Sequence, residues 1–275
     1  MIQQIESGVI IIISVSMVLY FFTPVFGDSG KGLDSRLSLN IGWEQLKYEE
    51  DEPSTDTESC GRVNNMVLGV EGLKRWKFAF AGIKAVFPVY KGDDEEEWIV
   101  SGATYQTNTL EYGWTRVDGY LGYPLLDLLN PYLGLRWSEG RQDRTDFIVE
   151  GTHVSGSAGE TISSRSFLLG VRGIGNLAPQ WRWSYRIEYF VPVDVEVTNN
   201  ALPGSDVSDK GGHTIEVKGG VEYAYSNLLS FGFLLYGGRM HWDGSGWKSY
   251  AGGRVKWPEN NTDYMGGALN ISCRF

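Results

Sequence analysis

The sequence predicts an all-β protein: a transmembrane, antiparallel, up-and-down β-barrel of about ten strands, with long extracellular loops and short periplasmic turns. Three observations predict this fold. Many segments alternate between apolar and polar residues with period two. One of these segments is too long for a soluble sandwich, and the connections between segments are short and long in turn. The 275 residues leave room for one large all-β domain.

The last segment of the chain, 264–275, shows the alternation clearly. Met265, Leu269, Ile271 and Phe275 fall on one side, and the other side is small or polar and carries Arg274. Successive side chains point to opposite faces of a strand, so this segment reads as a half-buried strand. In a soluble sandwich its polar side would face outward, whereas in a membrane barrel its apolar side would face outward.

The segment 181–197 decides between these two folds. One face carries an aromatic or β-branched residue at every second position from Trp181 to Val197, Val195 included. Arg182 and Glu188 lie on the other face. At ~3.3 Å per residue the strand would be roughly 56 Å long, and sandwich strands are usually ~3–10 residues. Crossing a bilayer takes only ~9–11 residues. We therefore expect a barrel strand that continues beyond the membrane.

Other segments repeat the pattern. The segments 37–44, 215–226 and 229–238 each separate an apolar face from a polar one. In 110–123 the phase shifts between Trp114 and Val117, which predicts a β-bulge there.

The connections set the strand number. Short connections fall at 72–76, 125–131, 175–179 and 225–229, and long polar ones at 50–62, 91–107, 139–164, 198–212 and 242–261. Alternation of short turns with long loops is typical of outer-membrane barrels. Five loops and four turns give ten strands, an even number that puts both ends of the barrel on the periplasmic side.

The first part of the chain differs from the rest. Residues 1–27 contain a continuous apolar run, GVIIIISVSMVLYFF, and predict a secretory signal peptide cleaved after Gly27. Only Glu6, and no Lys or Arg, precedes the run, and the run is long for a signal, so an uncleaved membrane anchor stays open. Residues 28–275 would form the outer-membrane barrel.

The composition limits the classes of ligand and partner that the protein is expected to bind. The net charge of −10 argues against nucleic acid, whose phosphates require a basic face. Nothing indicates that Cys60 and Cys273 pair, and no metal-binding pattern is present, so neither a metal nor another cofactor is expected. We expect contacts with outer-membrane lipid and lipopolysaccharide, and the oligomeric state stays open.

The polar faces would point into the barrel and line it with charges of both signs. The predicted lumen charges are Glu44, Lys84, Arg136, Arg172, Arg182, Arg186, Glu188, Glu216, Lys218, Glu222 and Arg274. In so narrow a barrel they should pair, because isolated buried charges are costly. Their role would be structural, or they would line a narrow pore or ion path. A wide porin is excluded, since an aqueous channel of that kind needs ~16 strands.

The C-terminus carries a family resemblance. An alternating last strand that ends in Phe275, as in NISCRF, resembles the terminal signature of bacterial outer-membrane proteins. The resemblance implies recognition by the barrel-assembly machinery. It also fits the need to close the barrel by pairing the last strand with the first, because an open edge is not tolerated in lipid.

The overshooting ten-strand layout also resembles the omptin family of surface proteases. In that family an Asp pair on the second loop faces an Asp-x-His on the fourth loop, and the four residues polarise a water. The second loop here offers Asp93 and Asp94 in KGDDEEEW, and the fourth offers Asp209 and His213 in SDVSDKGGH. The spacing departs from the family, since the two acids are adjacent and His213 follows Asp209 by four residues. The DDEEE run alone reads as a solvated face.

Three functions follow from these patterns. The first is a barrel with a structural or surface role, or a small passive pore through its charged interior. The second is an omptin-like protease. The third is a soluble secreted β-sandwich, which would not explain the terminal Phe275.

Overall fold

The computed structural model describes residues 34–202, 204–209, 211–250 and 253–275, without the side chains of Asp34 and Asp209. The predicted signal peptide, residues 1–27, lies outside this part of the chain. The regular structure of the described residues is entirely β. Across the same residues, no helix has the length and apolar character needed to span a membrane.

Strands follow one another around the molecule with short connections. They are β1 (Asp34–Glu52), β2 (Thr57–Arg75), β3 (Phe80–Lys91), β4 (Asp93–Val100), β5 (Ala103–Gly122), β6 (Asn130–Val149), β7 (Thr152–Val154), β8 (Ala158–Ala178), β9 (Trp181–Asn199), β10 (Val207–Asp209), β11 (His213–Ala224), β12 (Leu229–Trp242), β13 (Lys248–Tyr250), β14 (Gly253–Val255) and β15 (Glu259–Arg274). β3 and β4 form one path, interrupted at Gly92, whose N–H donates to Asn64 O at 3.0 Å. Within the described residues this leaves ten long strand paths, as the sequence predicted.

The ten paths close on themselves. Each pairs antiparallel with its two neighbours, in the order β1, β2, β3/β4, β5, β6, β8, β9, β11, β12 and β15. β15 then pairs with β1 over the register from Arg36↔Arg274 to Asp51↔Glu259. The C-terminal Phe275 exchanges backbone hydrogen bonds with Ser35, at 3.1 and 3.0 Å. The architecture is therefore a closed antiparallel β-barrel with both ends of the described chain at one end, which we term the terminal end.

The opposite end, which we term the rim, differs from the sequence expectation. The segments 50–62 and 91–107, expected as long loops, are mostly strand, and the actual turns are 53–56 and 101–102. Asp56, Ser101 and Gly102 make these turns with φ of 49°, 51° and 76°. The strands continue because their ladder of hydrogen bonds does not depend on an apolar outer face. That face disappears above the membrane, and the alternation used for prediction disappears with it.

The outer face of the barrel carries a belt of exposed apolar side chains. Its members on the long strands are Leu39, Ile41, Trp43, Met66, Leu121, Leu133, Leu135, Phe167, Leu169, Ile187, Tyr189, Val191, Val193, Ile215, Val217, Val221, Phe231, Phe233, Leu235, Met265, Leu269 and Ile271. A contiguous belt of this size is not compatible with a water-exposed surface. The apolar residues of the alternating pattern therefore face outward, as in a membrane barrel. This rules out the soluble sandwich.

Two details of the strand phase were wrong in the sequence analysis. In β5 the inward series Tyr112, Trp114, Arg116 and Asp118 runs without a break, and the irregularity lies between Thr107 and Thr109. The phase appeared to shift because the inward face combines aromatic with charged residues, whereas the prediction assumed that aromatic residues point outward.

The second detail is in β9. The register against β8 shifts opposite Arg165 and Ser166, which inserts one extra residue into β9. Beyond that bulge Val195 and Val197 turn inward and are buried, although the sequence placed them on the outer face with Trp181.

Aromatic rings fill the lumen by packing onto glycines of the neighbouring strand. Six inward rings lie opposite a glycine in register: Phe80 with Gly122, Tyr120 with Gly82, Tyr132 with Gly170, Trp114 with Gly140, Tyr236 with Gly266 and Tyr264 with Gly238. A Cβ at Gly170 would lie 2.2 Å from the Tyr132 ring, and one at Gly82 would lie 2.3 Å from the Tyr120 ring. The missing side chains therefore make the space that the rings occupy.

This packing leads to a first prediction. We expect Gly170→Ala to lower the free energy of unfolding by about 1–3 kcal/mol, because Tyr132 must leave its position and lose its 2.8 Å hydrogen bond to Glu188. The measurement is a urea titration of the refolded barrel in detergent, followed by gel mobility. Gly119→Ala is the matched control, since nothing lies within 4 Å of a Cβ at that position. Equal stability of the two variants would contradict the role assigned to the glycine.

Candidate functional site

A buried charge network crosses the lumen, with Lys84 at its centre. The Lys84 Nζ lies 2.9 Å from Asp118 Oδ2, 3.1 Å from Glu188 Oε2 and 3.0 Å from Glu216 Oε1. These four residues come from β3, β5, β9 and β11, and all are buried. One ammonium therefore links strands on opposite sides of the barrel.

Arginines neutralise the remaining charge of these carboxylates. Arg136 donates to both oxygens of Asp118, at 2.6 and 2.9 Å, and its guanidinium lies 3.5 Å from the centroid of the Phe190 ring. Tyr264 donates to Glu216 Oε2 at 2.8 Å. Each carboxylate thus has several donors, as a buried charge requires.

Two further groups extend the network along the barrel axis. Glu71 is paired with Arg186 and lies 3.6 Å from Arg172, and it accepts a 2.5 Å hydrogen bond from Tyr120. Towards the rim, Arg116 pairs with Glu44.

Nine of the eleven predicted lumen charges make ion pairs in the described part of the chain. The exceptions are Arg182 and Lys218, while Glu222 pairs with Arg274 and with Arg36. The sequence analysis missed Arg36, Glu71, Arg116 and Asp118, which complete the network.

The sequence contains a pattern from which two of the missed lumen charges could have been predicted. Arg116 and Asp118 have the same parity as Trp114, and the assumption that this tryptophan faced lipid hid them. A carboxylate and a guanidinium two residues apart on a strand have to share a face, and in lipid that face must be the inner one.

Little open volume separates these side chains. The two cavities found among them are about 40 and 60 Å³, which leaves room for a few water molecules. Larger cavities open at the two ends, about 480 Å³ at the rim and about 500 Å³ at the terminal end. Between the network and the rim lies a layer of buried apolar residues that includes Leu46, Leu110 and Ile162.

The rim cavity, which we term the rim cleft, combines aromatic walls with charged groups. Trp98, Phe147, Trp247 and Trp257 line it, and so do the charged residues Glu50, Glu52, Arg144, Glu160, Arg254 and Lys256. The segment between β12 and β15 helps to enclose it, anchored by Lys256 Nζ at 2.7 Å from Glu52 Oε2. The cleft is the place where a ligand from outside could be held.

Arg144 neutralises one carboxylate beside the cleft, Glu96, and forms no ion pair with the cleft carboxylates Glu50 and Glu160 within the described residues. It donates to both oxygens of Glu96, at 2.6 and 2.9 Å, and this pair is buried. Glu96 belongs to the DDEEE run, which the sequence analysis assigned to a solvated face. That assignment was wrong for Glu96, because its parity on β4 turns it inward.

Glu50 and Glu160 form no ion pair within the described residues, although both are buried. Ser59 donates to Glu50 at 3.4 Å, and Glu160 Oε1 has no hydrogen-bond partner among these residues. Burial and then repulsion from Glu160 raise the pKa of Glu50 to about 8, although Arg144 opposes the shift. Burial also raises the pKa of Glu160.

This pair lies outside the apolar belt, because Glu50 stands seven residues beyond Trp43 on β1, roughly 23 Å along the strand. Near neutral pH Glu50 retains its proton, which it could exchange for a ligand cation. Aromatic walls suit the apolar body of such a ligand and add cation–π attraction.

The four residues of the omptin resemblance lie apart from this cleft. Asp93 and Asp94 are exposed at the start of β4, and Asp94 Oδ1 accepts from Glu95 N at 2.8 Å. β4 and His213 on β11 are five strands apart in the ring of ten, across the barrel. The side chain of Asp209 is outside the described part.

His213 has the parity of the outer belt. Its ring stacks on Tyr189 with the centroids 6.1 Å apart and lies tilted against His241 at 5.1 Å, and Ile215 continues the same face outward. The structure therefore does not present this imidazole to a water inside the rim cleft.

Comparisons with known proteins bear on the fold. Neither a protein-family model nor a curated protein sequence matches the chain. Among solved structures, the outer membrane protease OmpT from Escherichia coli aligns with 90% of this chain and 98% of its own, with a TM-score of 0.67 and 11% identity. The translocator domain of the autotransporter NalP from Neisseria meningitidis aligns with 98% of each chain, with a TM-score of 0.38 and 10% identity.

At 11% identity the likeness to OmpT shows the fold alone. The closed ring, the outward apolar belt and this likeness agree. The chain has the fold of an outer-membrane β-barrel protein.

Proposed function

We propose that this chain is an integral protein of a bacterial outer membrane that does not conduct solutes and acts at the cell surface through its rim cleft. The observation that carries the proposal is the packed lumen. Lys84 and its three carboxylates bridge opposite walls of the barrel, and two cavities among these and the neighbouring described side chains measure about 40 and 60 Å³.

The proposal that the rim cleft faces the cell exterior is based on the difference between the two ends of the barrel. The strands extend well past the apolar belt at the rim, and both ends of the described chain lie at the other end. In outer-membrane barrels the turns next to the termini face the periplasm. The rim cleft would then face the outside, where it suits a ligand with a cationic group on an apolar body.

Lipopolysaccharide and the barrel-assembly machinery belong to the same proposal as partners. In this proposal the exposed charges towards the rim, such as Arg239 paired with Asp263, would meet the lipid head groups. Phe275 directly follows the strand that closes the ring and exchanges backbone hydrogen bonds with Ser35, so its recognition during insertion would couple assembly to closure.

The protease alternative has less support from the site. It would need an imidazole aimed into the rim cleft, and His213 has the outward parity of Ile215. The likeness to OmpT is one of fold, and fold is a weak indicator of activity.

The second prediction tests the closed lumen. We expect the purified protein to give no single-channel steps in planar lipid bilayers, because ions would have to cross paired, desolvated charges. The matched variants are Lys84→Ser/Glu188→Ser, which removes a buried cation and anion together, and Lys47→Ser/Glu49→Ser, which removes an exposed pair. Steps in the parent that only the lumen variant alters would establish the small passive pore instead.

A further inference from the structure

The cavity at the terminal end is lined by cations, although the whole chain carries a net charge of −10. This terminal vestibule, of about 500 Å³, is lined by Arg36, Arg75, Arg182, Arg274 and one acid, Asp127. Its basic character is therefore local and is not a consequence of composition.

The vestibule continues into the barrel. The adjoining cavity of about 60 Å³ shares Arg36, Leu73 and Ile174 with it and reaches Lys218, Arg172 and Arg186. Counted over the described side chains, the two cavities hold seven cations, and four carboxylates oppose them: Glu71, Asp127, Glu188 and Glu222.

Some of these cations already have partners and some do not. Glu222 pairs with both Arg36 and Arg274, and Glu71 with Arg186 and Arg172.

By contrast, Arg75, Arg182 and Lys218 make no side-chain hydrogen bond or ion pair among the described residues. Each is at least partly buried. Partly desolvated cations without a counter-charge are unfavourable, and the lumen network shows that elsewhere this chain supplies one.

We infer that the terminal vestibule binds a phosphate-type oxyanion, either free or as part of a larger molecule. The guanidiniums of Arg75 and Arg182, which have no partner among the side chains that the structure describes, offer planar donor pairs that match the oxygens of a phosphate group. Lys218 offers a point charge deeper in the same space. Several separated cations favour an anion with several oxygens over a single carboxylate. The inference needs only the barrel and its vestibule, and not the proposed role of the rim.

The test is a calorimetric titration of the protein, purified in zwitterionic detergent at low salt, with sodium pyrophosphate. We expect saturable binding that weakens about tenfold in Arg182→Gln and in Arg75→Gln. Arg165→Gln, at an exposed arginine on β8 that lies 3.8 Å from Asp194 and lines neither the rim cleft nor the two cavities of the terminal end, is the control and should bind as the parent does. Heat-modifiable gel mobility establishes that each variant is folded.

The variant Lys218→Met distinguishes a loss of pyrophosphate binding from a loss of folding stability. Loss of an unpaired cation should leave the thermal midpoint unchanged or raise it, while the affinity for pyrophosphate falls. A second arm repeats the titration in nanodiscs of phosphatidylglycerol and of phosphatidylcholine. Loss of pyrophosphate binding only in phosphatidylglycerol would identify a lipid head group as the source, and binding in both would identify a free anion.

Two results would overturn the inference. One is the absence of saturable binding by the folded parent up to roughly 10 mM, since a weaker site would offer less than about 3 kcal/mol. The other is binding that Arg75→Gln, Arg182→Gln and Lys218→Met leave as strong as in the Arg165→Gln control.

Discussion

Lys84→Met is expected to lower the free energy of unfolding of the barrel by about 3–5 kcal/mol, the cost of leaving a buried ion group without its partner. The substitution keeps an apolar chain of similar length, so packing is largely retained. What is lost is the cation within 3.1 Å of Asp118, Glu188 and Glu216. Asp118 and Glu216 would then share Arg136 as their main counter-charge. Among the described cations, Glu188 would keep only Arg186.

The measurement is the urea midpoint of refolding in detergent, followed by tryptophan fluorescence and heat-modifiable mobility. Lys47→Met is the control, because it removes an exposed pair with Glu49 and should change stability by no more than about 1 kcal/mol. If Lys84→Met does not fold, Lys84→Met/Glu188→Gln should restore folding in part, since it removes one of the orphaned charges. A single variant as stable as the parent would mean that the network does not hold the barrel together.

Most of the barrel could be predicted from the sequence, because lipid imposes a strict rule on the outer face. The strands 37–44, 215–226 and 229–238 were found with the correct parity, and the ten-strand count follows from the connections. The rule fails above the belt, where Glu58 and Glu95 are exposed on strands that look like loops in the sequence.

The interior was predictable only in part. Charges such as Lys84 and Glu216 stand out among apolar neighbours, whereas Asp118 is hidden between aromatic residues that also face inward. Glycines opposite those aromatic residues carried the missing signal. Gly82 opposite Tyr120 places the ring inside, but the pairing of two strands distant in sequence has to be known first.

The rim cleft could not be predicted, because it forms where β1, β4, β6 and β8 meet across the barrel. Glu50, Glu96, Arg144 and Glu160 each come from a different strand. Their proximity depends on the register of the whole ring and on the break at Gly92 between β3 and β4, which both pair with β2. The omptin resemblance directed attention instead to His213, which the parity of β11 turns outward.

Glu50→Gln is expected to remove most of the pH dependence of the rim. The folded rim holds the Glu50 proton more tightly than the unfolded chain, since its pKa is raised from 4.5 to about 8. The stabilising contribution of this proton is therefore fully present below pH 4.5 and is lost as the pH rises towards 8. The lost stability is on the order of a few kcal/mol.

The groups facing Glu50 set this behaviour. Glu160 and Glu96 oppose its ionisation, Arg144 favours it, and Tyr48 lies beside it. We expect the parent to melt at a lower temperature at pH 9 than at pH 5, and Glu50→Gln to show a much smaller difference. Glu58→Gln, an exposed acid on the adjoining strand β2, should behave like the parent. An equal pH dependence in all three proteins would contradict the burial of the Glu50 proton.

The same carboxyl pair links the pH dependence to the proposed surface role. A guanidinium probe such as agmatine needs the ionised pair, so its affinity for the parent should rise between pH 6 and pH 9, while Glu160→Gln should bind weakly throughout. Binding would in turn restore the melting temperature lost at pH 9, because the ligand cation would compensate the charge of Glu50 and Glu160 that the Glu50 proton compensates at lower pH. If agmatine bound equally well to the parent and to Glu160→Gln, the charge at the cleft would have no part in ligand choice.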